Sequence, residues 1–182
     1  MSPAPDLDTK LHDYLHDAHA MEKSVLRQLG ALLATTKDEQ LHSALERHEA
    51  LTRQQIARLE ERLDAHNEEP SSAGDLGAQF TAFFKALANI LRGDKPVRNA
   101  KGVFVTEHLE IAAYEVLERL ALSARDPETA RVARENRAEE EEMARTVSTS
   151  WDRLVDEMLA EDDLLAQAAD RSNPEEVNVH SR

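Results

Sequence analysis

Apolar residues recur every three or four positions through four long stretches of this sequence, and Gly or Pro rarely interrupts them. The 182 residues include only 5 Gly and 6 Pro, while Ala, Leu, Glu and Arg, which all favour helices, are abundant. No stretch alternates apolar and polar residues as a half-buried strand would. The sequence therefore predicts an all-α fold.

Breaks between the helices are predicted where Gly, Pro, Asn and Asp cluster. These breaks bound four long amphipathic segments, which run from Leu7 to Leu33, Glu39 to Ala65, Arg98 to Ala124 and Pro127 to Ala160. A shorter apolar helix, Leu76 to Leu91, is predicted on the crossover between the second and third long segments. Four helices of about 40 Å each predict an antiparallel four-helix bundle with one accessory helix.

The boundaries of the bundle and of its helices carry further signals. Residues 1–160 are predicted to form the bundle, and the polar residues 161–182 are predicted to form a disordered tail. Thr36 is predicted to cap the second long helix. Asp126, which precedes Pro127, is predicted to cap the last one.

Charge and cysteine content exclude several classes of function. The 36 acidic residues outnumber the 22 Lys and Arg, so the net charge is −14; this argues against nucleic acid and anionic membranes as partners and favours cations. The chain has no Cys, so a metal site would have to use His and carboxylates. No apolar run approaches the roughly 20 residues that cross a bilayer, and the first residues lack the features of a secretory signal. We expect a cytoplasmic protein.

Polar residues occupy a few positions in the apolar stripes where the helical pattern calls for Leu. A buried carboxylate without a partner costs several kcal/mol, so a group of them near the middle of four helices suggests a shared cation. Glu107 and Glu110 are three residues apart and lie on one helix face. Carboxylates together with imidazole suit iron or manganese. The acidic residues and histidines at these positions are Glu22, His48, Glu107, Glu110 and Glu140.

This pattern resembles the di-metal site of ferritin-like bundles, in which two helices each give a Glu and two give Glu-x-x-His. Three segments narrow the resemblance to one family of ferritin-like proteins. Their sequences are LHDAHAMEKSVLRQL, HEALTRQQIARLEERL and TEHLEIAAYEVLERLA. They are similar to the first, second and third helices of the YciE/YciF-like ferritin-like family, and the third segment matches best. The resemblance covers residues 6 to 158 and implies the same bundle and accessory helix.

The resemblance also implies metal ligands in this chain. They are Glu22, His48, Glu107, Glu110 and one residue of the run Glu139 to Glu142. Within that run, helix phase selects Glu140, with Glu141 as the alternative. Glu107 or Glu110 would bridge two metal ions, and the other ligands would bind terminally.

The chain departs from the family pattern on both sides of His48. Where the family often has acidic residues, this sequence has Ala50 and Leu51. Position 45 is Leu, so Glu-x-x-His is absent, and Glu49 is an imperfect substitute about 100° around the helix. The site therefore has one carboxylate fewer than the pattern.

These observations predict a protein with a dinuclear iron or manganese site, and the family resemblance implies a role in the bacterial oxidative or general stress response. Its chemistry would be ferroxidase-like or peroxide-handling, with metal ions and O₂ or peroxide as partners. The alternative is a non-catalytic helical stress or interaction protein whose metal site is degenerate. A monomer or homodimer is favoured over a large storage cage.

Other polar residues have simpler interpretations. His12 and His16 share a helix face on the polar side of the first stripe, which favours surface histidines over a metal site. His19 is nearer the core edge and is a candidate for supporting the ligands. His108 lies off its stripe and is predicted either to support the ligands or to lie at the surface. Tyr114 is either a hydrogen-bond donor to a ligand carboxylate or an ordinary core residue.

Overall fold

The computed structural model describes residues 6–70, 80, 82–83, 85–87, 95–161 and 164. Within these residues the helices are α1 (Leu7–Leu33), α2 (Glu39–Ala65), α3 (Lys95–Ser123), α4 (Pro127–Ser148) and α5 (Trp151–Glu161). The described residues at 80–87 are also helical, in agreement with the accessory helix on the crossover. The remainder of the predicted span Leu76 to Leu91 lies outside the described residues.

The long helices form a four-helix bundle. Helix α1 packs against α2 and α3, and α4 packs against α3 and α2. The connections α1–α2 and α3–α4 are short, as expected for antiparallel neighbours, whereas α2 and α3 are joined by the long crossover. The predicted all-α bundle is confirmed.

The beginnings of the helices follow from local capping. Asp126 caps α4 as predicted, because its Oδ1 accepts a hydrogen bond from the Thr129 amide at 3.0 Å. The prediction that Thr36 caps α2 is wrong. The cap is Asp38, whose Oδ1 accepts from the Leu41 amide at 2.6 Å. Asp and Thr are both good cap residues, and here the chain places the carboxylate next to the free amides.

The last long segment is two helices, so the predicted single helix from Pro127 to Ala160 is wrong. Helix α4 ends at Ser148, and α5 begins at Trp151. At the break, the Ser150 amide and hydroxyl both donate to the carbonyl of Val147, at 3.0 and 2.7 Å. Side chains of Ser and Thr compete with the helical backbone in this way. Helix α5 then packs against α3.

The core consists of two apolar clusters. One cluster lies toward the start of α1 and includes Leu11, Leu15, Leu59, Leu117 and Ala133. The other lies toward the end of α1 and includes Leu29, Leu41, Leu45, Val103 and Val147. Between the two, along every long helix, the buried stripe positions are polar.

Two further predictions concern the chain as a whole. Among the described residues, no helix is both long and apolar enough to cross a membrane. The predicted disordered tail 161–182 lies outside the described residues except for residues 161 and 164. The division at residue 160 therefore stays a prediction.

Candidate metal centre

Five ionisable side chains from four helices meet at mid-bundle. Glu22 comes from α1, His48 from α2, Glu107 and Glu110 from α3, and Glu140 from α4. Each is at most 2% exposed to solvent. The stripe positions that the sequence singled out are therefore buried, as helix phase predicts.

Four of these side chains form a compact group of potential ligands. One atom from each of His48, Glu107, Glu110 and Glu140 lies within 4.8 Å of the others. The Nε2 atom of His48 is 3.3 Å from Oε1 of Glu107 and 3.5 Å from Oε2 of Glu140. This arrangement of one imidazole and three carboxylates could hold a metal ion.

Glu22 lies beside this group and is held by its own partners. The Tyr114 hydroxyl donates a hydrogen bond to Oε1 of Glu22, which is one of the two alternatives that the sequence left open for Tyr114. The Asn136 amide donates to the Tyr114 oxygen at 2.9 Å. Because the tyrosine oxygen already accepts from Asn136, its own hydrogen is directed at Glu22.

The glutamate run on α4 contributes one buried residue. Glu140 is buried, while Glu139 is half-buried and pairs with Arg58 at 2.6 Å. Glu141 and Glu142 are exposed. The Gln55 amide donates to Oε1 of Glu140 and, at 3.0 Å, to Oε2 of Glu139. The turn of the helix thus directs Glu140 inward and Glu141 to solvent.

The four buried carboxyls are difficult to ionise without a cation. Burial, followed by the charge of Glu140, raises the pKa of Glu22 to about 8. Burial also raises the pKa of Glu107 to about 8. The pKa values of Glu110 and Glu140 are raised well above the usual range, first by burial and then by the neighbouring carboxyls.

Several buried atoms in the cluster lack a hydrogen-bond partner, although such atoms are normally satisfied. Both carboxyl oxygens of Glu110 and one oxygen each of Glu22, Glu107 and Glu140 are in this state, as are both ring nitrogens of His48. They are all potential metal-ligand atoms and they converge from four helices. The residues present therefore fit a metal ion of the oxygen- and imidazole-binding class.

Comparison with known proteins places the chain in a family. Residues 6–160 match the family model described as Domain of unknown function (DUF892). The chain belongs to the DUF892 family. A solved structure of a protein from Xanthomonas campestris pv. campestris is 27% identical, with a TM-score of 0.72, and the match covers 87% of this chain and 99% of that one.

Two further solved structures share the fold of this DUF892 chain. The Escherichia coli stress protein YciF is 21% identical, with a TM-score of 0.74, over 84% of this chain and 99% of that one. YcfI from Rhodopseudomonas palustris is 20% identical, with a TM-score of 0.70, and the match covers 81% of this chain and 96% of that one. The resemblance to YciE/YciF-like proteins is confirmed.

The departures of this DUF892 chain from the expected ligand pattern are visible in its structure. Leu45 is fully buried in an apolar cluster, so this position supplies no carboxylate to the site. Glu49 is half-buried and pairs with Arg53 at 2.8 Å. Ala50 is exposed, and Leu51 is half-buried. Among the described residues, α2 thus contributes only His48 to the compact ligand group.

Some of the contacts that support the ligands cannot be predicted from the sequence. Gln55 and Asn136 are fully buried on α2 and α4, and the sequence alone does not predict their hydrogen bonds to Glu140 and Tyr114. The available signal was an amide where the stripe calls for Leu. His19 is buried, and its Nε2 lies 3.1 Å from Oε1 of Glu60. His108 is exposed, which is one of the two alternatives that the sequence left open. His12 and His16 are half-buried, with carboxylate partners, instead of free on the surface.

Proposed function

We propose that this protein binds two iron or manganese ions at mid-bundle and uses them in ferroxidase-like or peroxide-handling chemistry. The observation that supports this proposal is the set of buried ligand atoms without a hydrogen-bond partner on five residues, which are Glu22, His48, Glu107, Glu110 and Glu140. Leaving one such atom unsatisfied costs about 1–3 kcal/mol. A shared cation would satisfy them together.

Charge balance favours two divalent ions over one. The four buried glutamates carry four negative charges when all are ionised, and the imidazole of His48 is neutral when it ligates a metal. Two divalent ions cancel four carboxylates, whereas one leaves two negative charges buried. We assign Glu107 or Glu110 as the bridge, with Glu22, His48 and Glu140 as terminal ligands.

The surrounding residues prepare this site for chemistry. When bound, iron or manganese would supply the electrons that reduce O₂ or peroxide. The burial of all five donors keeps bulk water away from that reaction. Tyr114 and Gln55 fix the carboxyl groups of Glu22 and Glu140, as partners behind metal ligands commonly do. We extend the role named for the Escherichia coli stress protein to propose a function in bacterial stress response.

A second candidate is a non-catalytic stress or interaction protein with a degenerate site. The pairing of Glu49 with Arg53 and the apolar Leu45 favour it, because α2 then supplies His48 alone to the ligand group. In this case the buried carboxyls stay protonated, in line with the raised pKa values of Glu22 and Glu107. Iron would then be oxidised no faster than in buffer.

Elemental analysis after anaerobic loading with Fe(II) or Mn(II) tests metal binding. We expect about two ions per chain, and none in the double variant E107Q/E110Q. E140Q should lower the metal content, while E141Q, one residue along the same helix and exposed, should not. A wild-type protein that holds no metal would refute the proposal.

Oxygen uptake separates the two candidate functions. The Fe(II)-loaded protein is mixed with air-saturated buffer, and O₂ consumption is compared with that of E107Q/E110Q. Faster uptake by the wild type supports the catalytic function. Equal rates in a protein that does bind two ions would favour the non-catalytic candidate.

A further inference from the structure

Three histidines and a glutamate meet at the end of the bundle where α1 begins and α2 ends. His12 and His16 lie one turn apart on α1, and His66 is the C-cap of α2. Nε2 of His12 and Nδ1 of His66 are 3.3 Å apart. His12 precedes Glu22 by ten residues, which is about 15 Å along the helix. This end cluster is therefore separate from the mid-bundle centre.

The rings of His12 and His66 face each other, and the second nitrogen of each ring contacts a carboxylate. Nε2 of His66 lies 2.8 Å from Oδ2 of Asp126, and Nδ1 of His12 lies 3.1 Å from Oε1 of Glu68. An ionised carboxylate only accepts hydrogen bonds, so each of these ring nitrogens carries a hydrogen.

Other contacts show that both carboxyl groups act as acceptors. Asp126 accepts hydrogen bonds from the Thr129 amide and hydroxyl, and its Oδ2 lies 3.2 Å from Nη2 of Arg62. Glu68 also contacts a third ring, because its Oε2 lies 3.2 Å from Nε2 of His16.

This pairing leaves two lone pairs facing each other. A neutral imidazole has one N–H, and in His12 and His66 it points at the carboxylate. Nε2 of His12 and Nδ1 of His66 then present lone pairs across 3.3 Å, which is repulsive unless a cation lies between them. Two imidazole nitrogens bound to one tetrahedral zinc ion at 2.0–2.1 Å are also about 3.3 Å apart.

We propose that His12 and His66 bind a divalent transition-metal ion of the zinc class through these two nitrogens. Asp126 and Glu68 support the two rings in the carboxylate–histidine–metal arrangement common to zinc sites. His16 follows His12 at the four-residue spacing used by zinc-binding helices, and its Nε2 lies 3.2 Å from Oε2 of Glu68, the carboxylate that also contacts His12. The three imidazoles are 22–24% exposed, so the site is open to ions from solvent.

Calorimetric titration with ZnCl₂ tests the site independently of the mid-bundle proposal. In the E107Q/E110Q background, which removes the central ligands, we expect about one bound Zn²⁺ per chain. Adding H12Q and H66Q should abolish it. Adding H42Q and H108Q, which remove two other histidines from α2 and α3, should leave it intact. The proposal would be overturned if the H12Q/H66Q and H42Q/H108Q variants bound zinc equally, or if E107Q/E110Q bound no zinc.

Two further measurements keep the test decisive if the combined variants fold poorly. In the otherwise wild-type chain, H12Q/H66Q should hold one Zn²⁺ fewer than H42Q/H108Q, and E68Q should bind that ion about 10- to 100-fold more weakly. Nitrogen-15 NMR of the histidine rings should show Zn²⁺ shifting Nε2 of His12 and Nδ1 of His66. Rings that share a proton and do not respond to Zn²⁺ would contradict the metal site.

Discussion

At the scale of single residues, Tyr114 orients the carboxyl group of Glu22 toward the other members of the mid-bundle cluster. The tyrosine is fully buried, accepts from Asn136 and donates to one oxygen of Glu22. The other oxygen, Oε2, is left without a partner. A hydroxyl group on a residue that otherwise packs like Phe thus orients a proposed ligand.

Replacing Tyr114 with Phe should weaken both stability and metal binding. The change leaves Oε1 of Glu22 without its donor, which costs about 1–3 kcal/mol in unfolding free energy. We expect metal affinity to fall about 10- to 100-fold. Urea unfolding and metal titration measure the two effects. Y14F is the matched control, because Tyr14 is exposed; equal behaviour of the two variants would contradict the role of Tyr114.

The raised pKa values predict how the stability of the metal-free protein depends on pH. Glu22 and Glu107 have a folded-state pKa of about 8 against 4.5 in the unfolded chain. The folded state therefore binds more protons, and stability falls as pH rises from 4.5 to 8. Thermal unfolding of chelator-treated protein at pH 5, 6, 7 and 8 should show decreasing midpoints.

The same series in E107Q/E110Q provides the control for that pH dependence. Amides do not titrate, so the decline between pH 5 and 8 should be shallower in this variant. A metal-free wild type that becomes more stable over this interval would show that the buried carboxyls are not held neutral.

At the scale of helices, α2 depends on Asp38 at its beginning. This residue caps α2 and also pairs with Arg153 of α5. It therefore connects the start of the second helix to the helix that follows the break at Thr149 and Ser150. The two roles can be separated by substitution.

D38A should destabilise the protein by about 1 kcal/mol through loss of the cap alone, with a further loss from the pair with Arg153. D38N keeps a capping oxygen and removes only the charge, so its unfolding free energy should fall less. T36A tests the residue that the sequence favoured as the cap, and it should have a smaller effect than D38A in urea unfolding. A larger effect of T36A would contradict the assignment.

Much of the fold was predictable because each helix carries a continuous stripe. The ends of α1 and α2 coincide with the predicted Leu7, Leu33, Glu39 and Ala65, since polar turn residues bound the stripes there. The break after Ser148 was not predictable, because no Gly or Pro marks it and the stripe continues through Val147, Trp151 and Leu154. At this break, the Ser150 hydroxyl donates a hydrogen bond to the backbone carbonyl of Val147, a local contact that the apolar pattern does not report.

The candidate site was predictable in its residues more than in its contacts. Polar groups at stripe positions indicated Glu22, His48 and Glu140, because periodicity reports which face is buried. Their partners depend on side-chain rotamers and on the alignment of α2 with α4, which periodicity does not report. His66 was missed in the same way, because its contact with His12 joins residues 54 apart in sequence.

At the scale of the whole molecule, a polar layer separates two apolar clusters. Buried ionic groups often stabilise less than apolar residues of similar size would. We therefore expect E107L/E110L to raise the unfolding free energy of the metal-free protein by about 1–4 kcal/mol while abolishing metal binding. If metal-free E107L/E110L were less stable than the metal-free wild type, the polar layer would stabilise the fold even without metal.

The convergence of all four long helices on one buried cluster has a consequence for a chain that lacks cysteine. A cation held by both Glu22 and Glu140 would tie together the first and fourth long helices through residues 118 positions apart in sequence, as a disulfide does, and closing so long a loop disfavours the unfolded chain. Unlike a disulfide, this cross-link would be released by a chelator or by protons. Occupancy of the centre would then set how long the folded protein survives under proteolysis.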